Sequence, residues 1–171
     1  RRTLAAADQR IAEARALGIR TILDVVPNHV SSEHEWFRAA LAAGPGSPER
    51  ERFWFHPGRG EDGSQVPTHW VSEFQGGTWT RTTNPDGTPG EWYLHVFAPE
   101  QPDLNWDHPD VRREHEDILR FWFDRGAAGI RIDSAAQLVK DPALPEVPDH
   151  PGPGEHPHVW LLYTSDAADA G

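Results

Sequence analysis

The chain has no cysteine and no methionine, and Lys140 is its only lysine. The absence of cysteine excludes disulfides, thiolate nucleophiles, zinc fingers and iron–sulfur centres. No run approaches the roughly 20 apolar residues that span a bilayer, and the mean hydropathy is −0.67. A balance of 16 basic against 27 acidic residues gives a net charge of −11, which argues against binding to nucleic acid phosphates. We therefore expect neither a membrane nor a nucleic-acid partner.

The length and the apolar content predict one ordinary core. The chain has 171 residues, of which 37% are apolar, and this suffices for a single domain. No signal peptide is visible, so we expect a cytoplasmic protein. Because position 1 also lacks methionine, we expect a piece of a longer protein.

Two units of a helix and a strand are predicted, one near each end of the first 140 residues. Residues 3–17 have the period of an amphipathic helix, and residues 19–26 are apolar and β-branched, as in a parallel strand covered on both faces. Residues 109–125 follow a helical period, with Asp107 as the expected cap. A second short buried strand is predicted at 128–133.

Between these units lies a long stretch, residues 28–106, which is rich in glycine, proline and tryptophan. It predicts an ordered, irregular lobe with short strands near 68–73 and 92–97. Large insertions after the carboxyl end of a strand are typical of (β/α)8 barrels. We therefore predict an α/β fold in which residues 1–27 and 107–140 form part of a TIM barrel that carries the lobe.

The last part of the chain changes composition twice. Residues 141–158 are rich in proline, histidine and acidic residues, which predicts a loop. Residues 159–171 (VWLLYTSDAADAG) resemble translated adapter or vector sequence. We therefore treat this tail as non-native and exclude it from the fold.

Three polar clusters stand out: DVVPNH at 24–29, QPDLN at 101–105 and GIRID at 129–133. In the third, Arg131 and Asp133 share one face of the predicted strand because side chains alternate. A neighbouring guanidinium keeps a carboxylate ionised, and an ionised carboxylate can act as a nucleophile. From these residues alone, a simple ion pair inside a barrel core is an equally good interpretation.

Together, in this order, the three clusters resemble the α-amylase superfamily, glycoside hydrolase family 13. Their flanks are similar too, as in GIRTILDVVPNHVSSEHEWFRAAL and EWYLHVFAPEQPDLNWDHPDVR, and the resemblance covers residues 1 to about 158. The QPDLN form and the segment GIRIDSAAQLVKDPALPE look like the oligo-1,6-glucosidase and α-glucosidase branch. The resemblance implies that the chain holds about strands 3–4 of the barrel, with the inserted domain B between them.

The resemblance also implies roles for single residues. Asp133 matches the catalytic nucleophile, and Arg131 matches the arginine that hydrogen-bonds it. His29 matches a histidine that contacts the sugar in the −1 subsite, and Asp24 matches the aspartate that supports the arginine and the pocket. Ser134 is a small residue next to the nucleophile, where many α-1,6-acting relatives have valine, so maltose-type substrates are expected over isomaltose.

The mechanism implied is a retaining double displacement, which needs a second carboxyl group as the acid. In the family this acid follows the fifth strand and a third carboxylate follows the seventh. Glu146 and Glu155 do not match the acid because no buried strand precedes them. We therefore expect the chain by itself to be inactive.

No cofactor and no metal site are predicted. Asn28 matches a position that ligates calcium in many α-amylases, but the α-glucosidase branch often leaves that site unused. The histidines lack the i, i+4 pairing with glutamate of zinc hydrolases. The expected partner is an α-glucan oligosaccharide substrate, and the sequence leaves the oligomeric state open.

Two other functions stay open at this stage. A transglycosylating relative, of the trehalose-synthase or isomerase type, would use the same residues and differ in how well water is excluded. A non-catalytic, amylase-like binding or scaffold module is a further possibility, although Asp133, Arg131 and His29 are all present. We also expect the isolated chain to fold poorly, because two barrel strands alone leave unpaired edges.

Overall fold

The structure is a computed structural model, and it describes residues 3–146. The first six residues of the expected proline-rich loop, 141–146, contain neither helix nor strand. The remainder of that loop and the expected non-native tail, residues 147–171, lie outside the described residues. In the described part, no helix is both long and apolar enough to cross a membrane.

The two predicted helices are present. Helix α1 spans Leu4–Ala16, and its N-cap, Thr3, accepts a hydrogen bond from the Ala6 amide at 3.4 Å. Helix α3, at Pro109–Asp124, is the second predicted helix. Helix α2, at Glu35–Ala43, lies between the two along the chain. The sequence did not predict α2.

The expected cap of α3 is wrong by one residue. His108 is the N-cap, and its Nδ1 accepts a hydrogen bond from the Asp110 amide at 3.1 Å. Asp107 lies one residue earlier and instead pairs with Arg112 at 3.3 Å. Pro109 at the first helical position fixes this start, because proline needs no amide donor there.

Strands β1 (Ile22–Val25) and β5 (Gly129–Ile132) pair in parallel, as expected of neighbouring barrel strands. Burial on both faces was expected, but the Ile22 and Ile132 side chains are 66% and 51% exposed. The reason is that β1 and β5 form a two-stranded sheet within residues 3–146, so most of a barrel's layers are not part of it. The described barrel is partial and open.

The lobe contains an antiparallel sheet with the strand order β2-β4-β3. Strand β2 is Phe55–His56, β3 is Trp79–Thr83 and β4 is Pro89–Leu94. The strand expected near 92–97 overlaps β4, so it is confirmed with a shifted start. Strand β3 was not predicted from the sequence.

The strand expected near 68–73 is wrong. Only an isolated bridge, between Val71 and Gly77, occurs there. The chain turns back at once, because the Ser72 amide donates to the Gly76 carbonyl at 2.9 Å. Trp70 in this segment is buried in the lobe core.

Two apolar clusters stabilise the lobe. The first joins helix α2 to the lobe sheet and to α3, and its buried members are Phe37, Ala40, Phe53, Tyr93, Leu104 and Val111. The second lies on the other part of the sheet and consists of Trp70, Trp79, Leu94 and Val96. Val96 and Leu104 of these clusters belong to segment 95–104, which lies beside the chain just after β1, where the Leu104 amide donates to the Asn28 carbonyl at 2.9 Å.

Candidate active site

Three charged side chains meet at the carboxyl ends of β1 and β5. The parallel register places Asp24 opposite Arg131. The Asp133 amide then donates to the Val25 carbonyl at 2.9 Å, which extends the ladder by one residue. Since alternate residues of a strand share a face, Arg131 and Asp133 point the same way.

The Arg131 guanidinium bridges two carboxylates. Its Nη2 lies 2.8 Å from Asp133 Oδ1, and its Nη1 donates to Asp24 Oδ1 at 3.4 Å. Asp133 first, and Asp24 next, raise the pKa of Arg131 above its ordinary value. The arrangement keeps a fixed positive charge against Asp133.

This ion pair lies on an open part of the described chain. The side chains of Arg131 and Asp133 are 60% and 39% exposed in residues 3–146. Because β1 and β5 form a two-stranded sheet there, this exposure does not distinguish a substrate-facing carboxylate from an ion pair packed inside a complete barrel. An accessible carboxylate at a strand end can be approached by a substrate.

His29 lies where the chain leaves β1 and meets the QPDLN segment. It forms an antiparallel bridge with Asp103, and its ring contacts that of Phe97 with centroids 4.9 Å apart. Burial lowers the pKa of His29, although the Asp103 and Asp133 charges act in the opposite direction. His29 is therefore neutral at neutral pH.

Gln101 contacts a ring nitrogen of His29. The Gln101 Oε1 accepts a hydrogen bond from the Ala98 amide at 3.1 Å, which orients the amide group. The Gln101 Nε2 then lies 2.9 Å from His29 Nε2. Gln101 belongs to the QPDLN motif, and no role was predicted for it from the sequence.

Lys140 is a buried cation behind His29, and it was not predicted as a site residue from the sequence. The Lys140 ammonium is 2.7 Å from Asp103 Oδ2 and donates to Asn28 Oδ1 at 2.8 Å. Both charged side chains are fully buried, and Asp103 Oδ1 also accepts the Val96 amide at 3.1 Å. Burial lowers the pKa of Lys140, against the opposing effect of Asp103. The only sequence signal was that this is the single lysine among 16 basic residues.

Ser134 follows the nucleophile candidate in an unusual backbone conformation. Its φ of 55° and ψ of 32° are left-handed, and it begins the short 3-10 turn Ala135–Gln137. Its Oγ lies 3.4 Å from Asp133 Oδ2. A left-handed residue other than glycine is uncommon and often marks a functional site.

Glu146 is engaged away from this site. Its carboxylate pairs with Arg59 Nη1 at 2.9 Å and accepts the His69 amide at 2.9 Å. This agrees with the expectation that it is not the catalytic acid. Glu155 lies outside the described residues.

The chain matches a known family model and curated relatives. The model described as "Alpha amylase, catalytic domain" matches residues 3–162. A trehalose-6-phosphate hydrolase of Escherichia coli (strain K12) is 41% identical over 85% of this chain and 25% of its own length. An α-glucosidase of Culex pipiens is 37% identical over 95% of the chain and 27% of its own length. The chain thus spans about a quarter of these relatives.

Solved structures agree with these sequence matches. A trehalulose synthase superposes with a TM-score of 0.75 at 37% identity, covering 86% of this chain and 25% of its own. An isomaltulose synthase from Erwinia rhapontici NX5 superposes with a TM-score of 0.75 at 35% identity, with the same coverage. With the open parallel pair β1–β5 and its polar strand ends, these matches establish that the chain belongs to the α-amylase catalytic-domain family, glycoside hydrolase family 13.

Proposed function

We propose that the complete protein containing this chain is a retaining α-glucosidase, with Asp133 as its nucleophile. The observation that carries the proposal is the Arg131 guanidinium held between Asp133 and Asp24, at the carboxyl ends of two parallel strands. A carboxylate that is paired with a guanidinium at the end of a strand is suited to nucleophilic attack. The relatives named α-glucosidase support this chemistry.

The proposed reaction has two steps. Asp133 attacks the anomeric carbon of a terminal glucose, and the bond to the leaving oxygen breaks as a second carboxyl group protonates that oxygen. Water, deprotonated by that same group, then displaces Asp133, so the configuration is retained. No carboxyl group of residues 3–146 matches the acid's motif, so the chain by itself is inactive under this proposal.

Charge favours a neutral sugar over a sugar phosphate in this part of the site. Within residues 3–146, the cations in contact with Asp133 or acting on His29 are Arg131 and Lys140. Arg131 is shared between two carboxylates, and Lys140 is buried against Asp103. Neither is free to bind a phosphate, although one relative is named trehalose-6-phosphate hydrolase. Ser134, as a small residue, favours maltose-type substrates.

We further propose that no calcium is needed near Asn28. The Lys140 ammonium lies 2.8 Å from Asn28 Oδ1 and 2.7 Å from Asp103 Oδ2. It therefore supplies a positive charge beside the Asn28 oxygen, the position that a calcium ion would use. The described residues at Asn28 do not fit the metal.

Transglycosylation is the second candidate. The trehalulose and isomaltulose synthases among the solved structures are the observation that favours it. The first step would be the same, and a sugar hydroxyl would replace water in the second. A non-catalytic module is less well supported, because Asp24, Arg131 and Asp133 are all present and paired.

The test uses the complete protein. Its hydrolysis of maltose, isomaltose and trehalose 6-phosphate is measured, and 5-fluoro-glucosyl fluoride is used to trap the covalent intermediate. We expect maltose to be the best of the three, and the label to lie on the peptide that contains Asp133. Asp133→Asn should lower kcat by about 10⁴-fold or more, in line with the loss of an essential catalytic group.

A matched control removes a charge elsewhere. Asp117→Asn makes the same change on an exposed position of α3 and should leave kcat within about twofold. Full activity of Asp133→Asn, or a label on another peptide, would contradict the nucleophile. Sugar transfer in place of glucose release would support the second candidate.

A further inference from the structure

Two buried side chains that the proposed reaction does not use hold the backbone carbonyl of Phe97. These side chains are His95 and Ser72, which are 3% and 6% exposed. The His95 Nδ1 lies 3.2 Å from the Phe97 oxygen, and the Ser72 hydroxyl donates to the same oxygen at 2.8 Å. The direction of this carbonyl is therefore set by the lobe core.

Both nitrogens of the His95 ring are engaged. A carbonyl oxygen can only accept, so the Nδ1 that faces Phe97 must carry a hydrogen. The other nitrogen, Nε2, lies 2.9 Å from the Thr80 hydroxyl, which can donate to it. Burial lowers the pKa of His95, against the opposing effects of the Phe97 carbonyl and the Asp103 charge. The ring is thus neutral at neutral pH, and its single N–H is used on Phe97.

The Phe97 carbonyl and the Ala98 amide belong to one planar peptide group. In a trans peptide the carbonyl and the N–H point in opposite directions, and no cis peptide bond occurs within residues 3–146. A contact that fixes the Phe97 carbonyl therefore also fixes the Ala98 N–H. This N–H donates to Gln101 Oε1 at 3.1 Å.

Gln101 carries this orientation to His29. Because the Ala98 amide occupies Oε1, the Gln101 Nε2 is the end that faces His29, at 2.9 Å from His29 Nε2. The ring of Phe97, which is attached to the same peptide, also contacts the His29 ring with centroids 4.9 Å apart. Two contacts with the His29 ring thus depend on the peptide that His95 holds.

We propose that His95 is a positioning residue that sets the His29 side chain through the Phe97–Ala98 peptide and Gln101. The inference rests on the proposed function, in which the sugar attacked by Asp133 also contacts His29. His95 is itself too deeply buried to touch a substrate. An effect of His95 on turnover must therefore pass through the residues between it and His29.

Asparagine and glutamine separate the two nitrogens of the His95 ring. Asparagine places its amide nitrogen near the position of Nδ1, so it can still donate to Phe97, whereas glutamine places its amide near Nε2 and Thr80. In the complete protein, His95→Asn should keep kcat/KM for maltose within about threefold. His95→Gln should lower kcat/KM by roughly tenfold, because a small misplacement of a substrate-positioning group is costly. The Tm should fall by similar amounts in both variants, so stability does not explain the difference.

A double variant tests the path itself. Gln101→Ala removes the link to His29 and should lower kcat/KM by itself. Adding His95→Gln to Gln101→Ala should then cost less than about threefold more, because residues that act in one chain have non-additive effects. Should His95→Gln not fold, Ser72→Ala removes the other donor to the Phe97 carbonyl. We expect it to lower kcat/KM in the same way, and Gln101→Ala to abolish that loss.

His115→Gln is the matched control. The His115 Nδ1 also faces a backbone carbonyl, that of Val111 at 2.8 Å, but within helix α3. This variant should leave kcat/KM within about twofold. Equal losses for the two His95 variants would overturn the proposal, and so would additive losses in the double variant with Gln101→Ala. Asp133→Asn reports on the proposed function separately, since full activity there would contradict the nucleophile whatever the His95 series shows.

Discussion

The buried pair of Lys140 and Asp103 allows a quantitative prediction. Lys140→Met removes the ammonium. Within residues 3–146, the Asp103 carboxylate then keeps the hydrogen bond from the Val96 amide, at 3.1 Å. Both charged side chains are fully buried, with 2.7 Å between Nζ and Oδ2. Breaking such a pair costs about 3–5 kcal/mol, because an uncompensated charge remains in the interior.

The assay is denaturant unfolding of the complete protein, followed by the fluorescence of its tryptophan-rich lobe. Lys140→Met is compared with Asp103→Asn and with the double variant. Because the double variant leaves no unpaired charge, its loss should be smaller than the sum of the single losses by about 2 kcal/mol or more. Arg120→Met is the control, since Arg120 and Glu116 form an exposed pair at 3.7 Å worth about 0–1 kcal/mol.

Two results would refute this reasoning. One is a loss below about 1 kcal/mol for Lys140→Met, which would place the ammonium in an environment as well hydrated as a surface pair. The other is simple additivity of the single and double variants, which would mean that the two groups do not interact.

Two further predictions concern ions and protons. Dialysis of the complete protein against EDTA, followed by addition of calcium, should leave kcat for maltose and the Tm unchanged. The reason is that Lys140 already lies against the Asn28 and Asp103 oxygens. A loss of kcat or Tm that calcium restores would contradict this prediction. Burial lowers the pKa values of His95 and His115 in the folded protein. The unfolded chain therefore binds protons more readily than the folded one. As a result, the free energy of unfolding should fall as the pH drops below about 6.5. His115→Phe should make this decline shallower in pH-dependent urea unfolding, and an unchanged slope would count against the histidine explanation.

The sequence predicted the barrel elements better than the lobe. Helices α1 and α3 and strands β1 and β5 follow local periodicity, so a short window of residues contains the signal. The lobe sheet is different because β3 is defined by its pairing with β4, and the bulged register between Arg81 and Thr83 is not encoded in either strand alone. The strand predicted near 68–73 is absent, because the chain turns back there after the single bridge between Val71 and Gly77.

The candidate site shows the same division. Asp24, His29, Arg131 and Asp133 were selected from two of the three short motifs, and the structure brings Asp24, Arg131 and Asp133 into one ion-pair cluster. The catalytic and sugar-binding roles of these residues stay predictions, as does the division of the chain into segments. Gln101 was within a quoted motif, but its contact with His29 depends on how the lobe folds back.

By itself, the sequence determined which side chains could carry the chemistry. The strand period sets Arg131 and Asp133 on one face of their strand. The motifs place Asp24 and His29 at the end of the other strand. Only the tertiary structure decided the environment of those side chains. Lys140 is 112 positions from Asn28 along the chain, and its burial follows from the packing of the lobe against the strand ends.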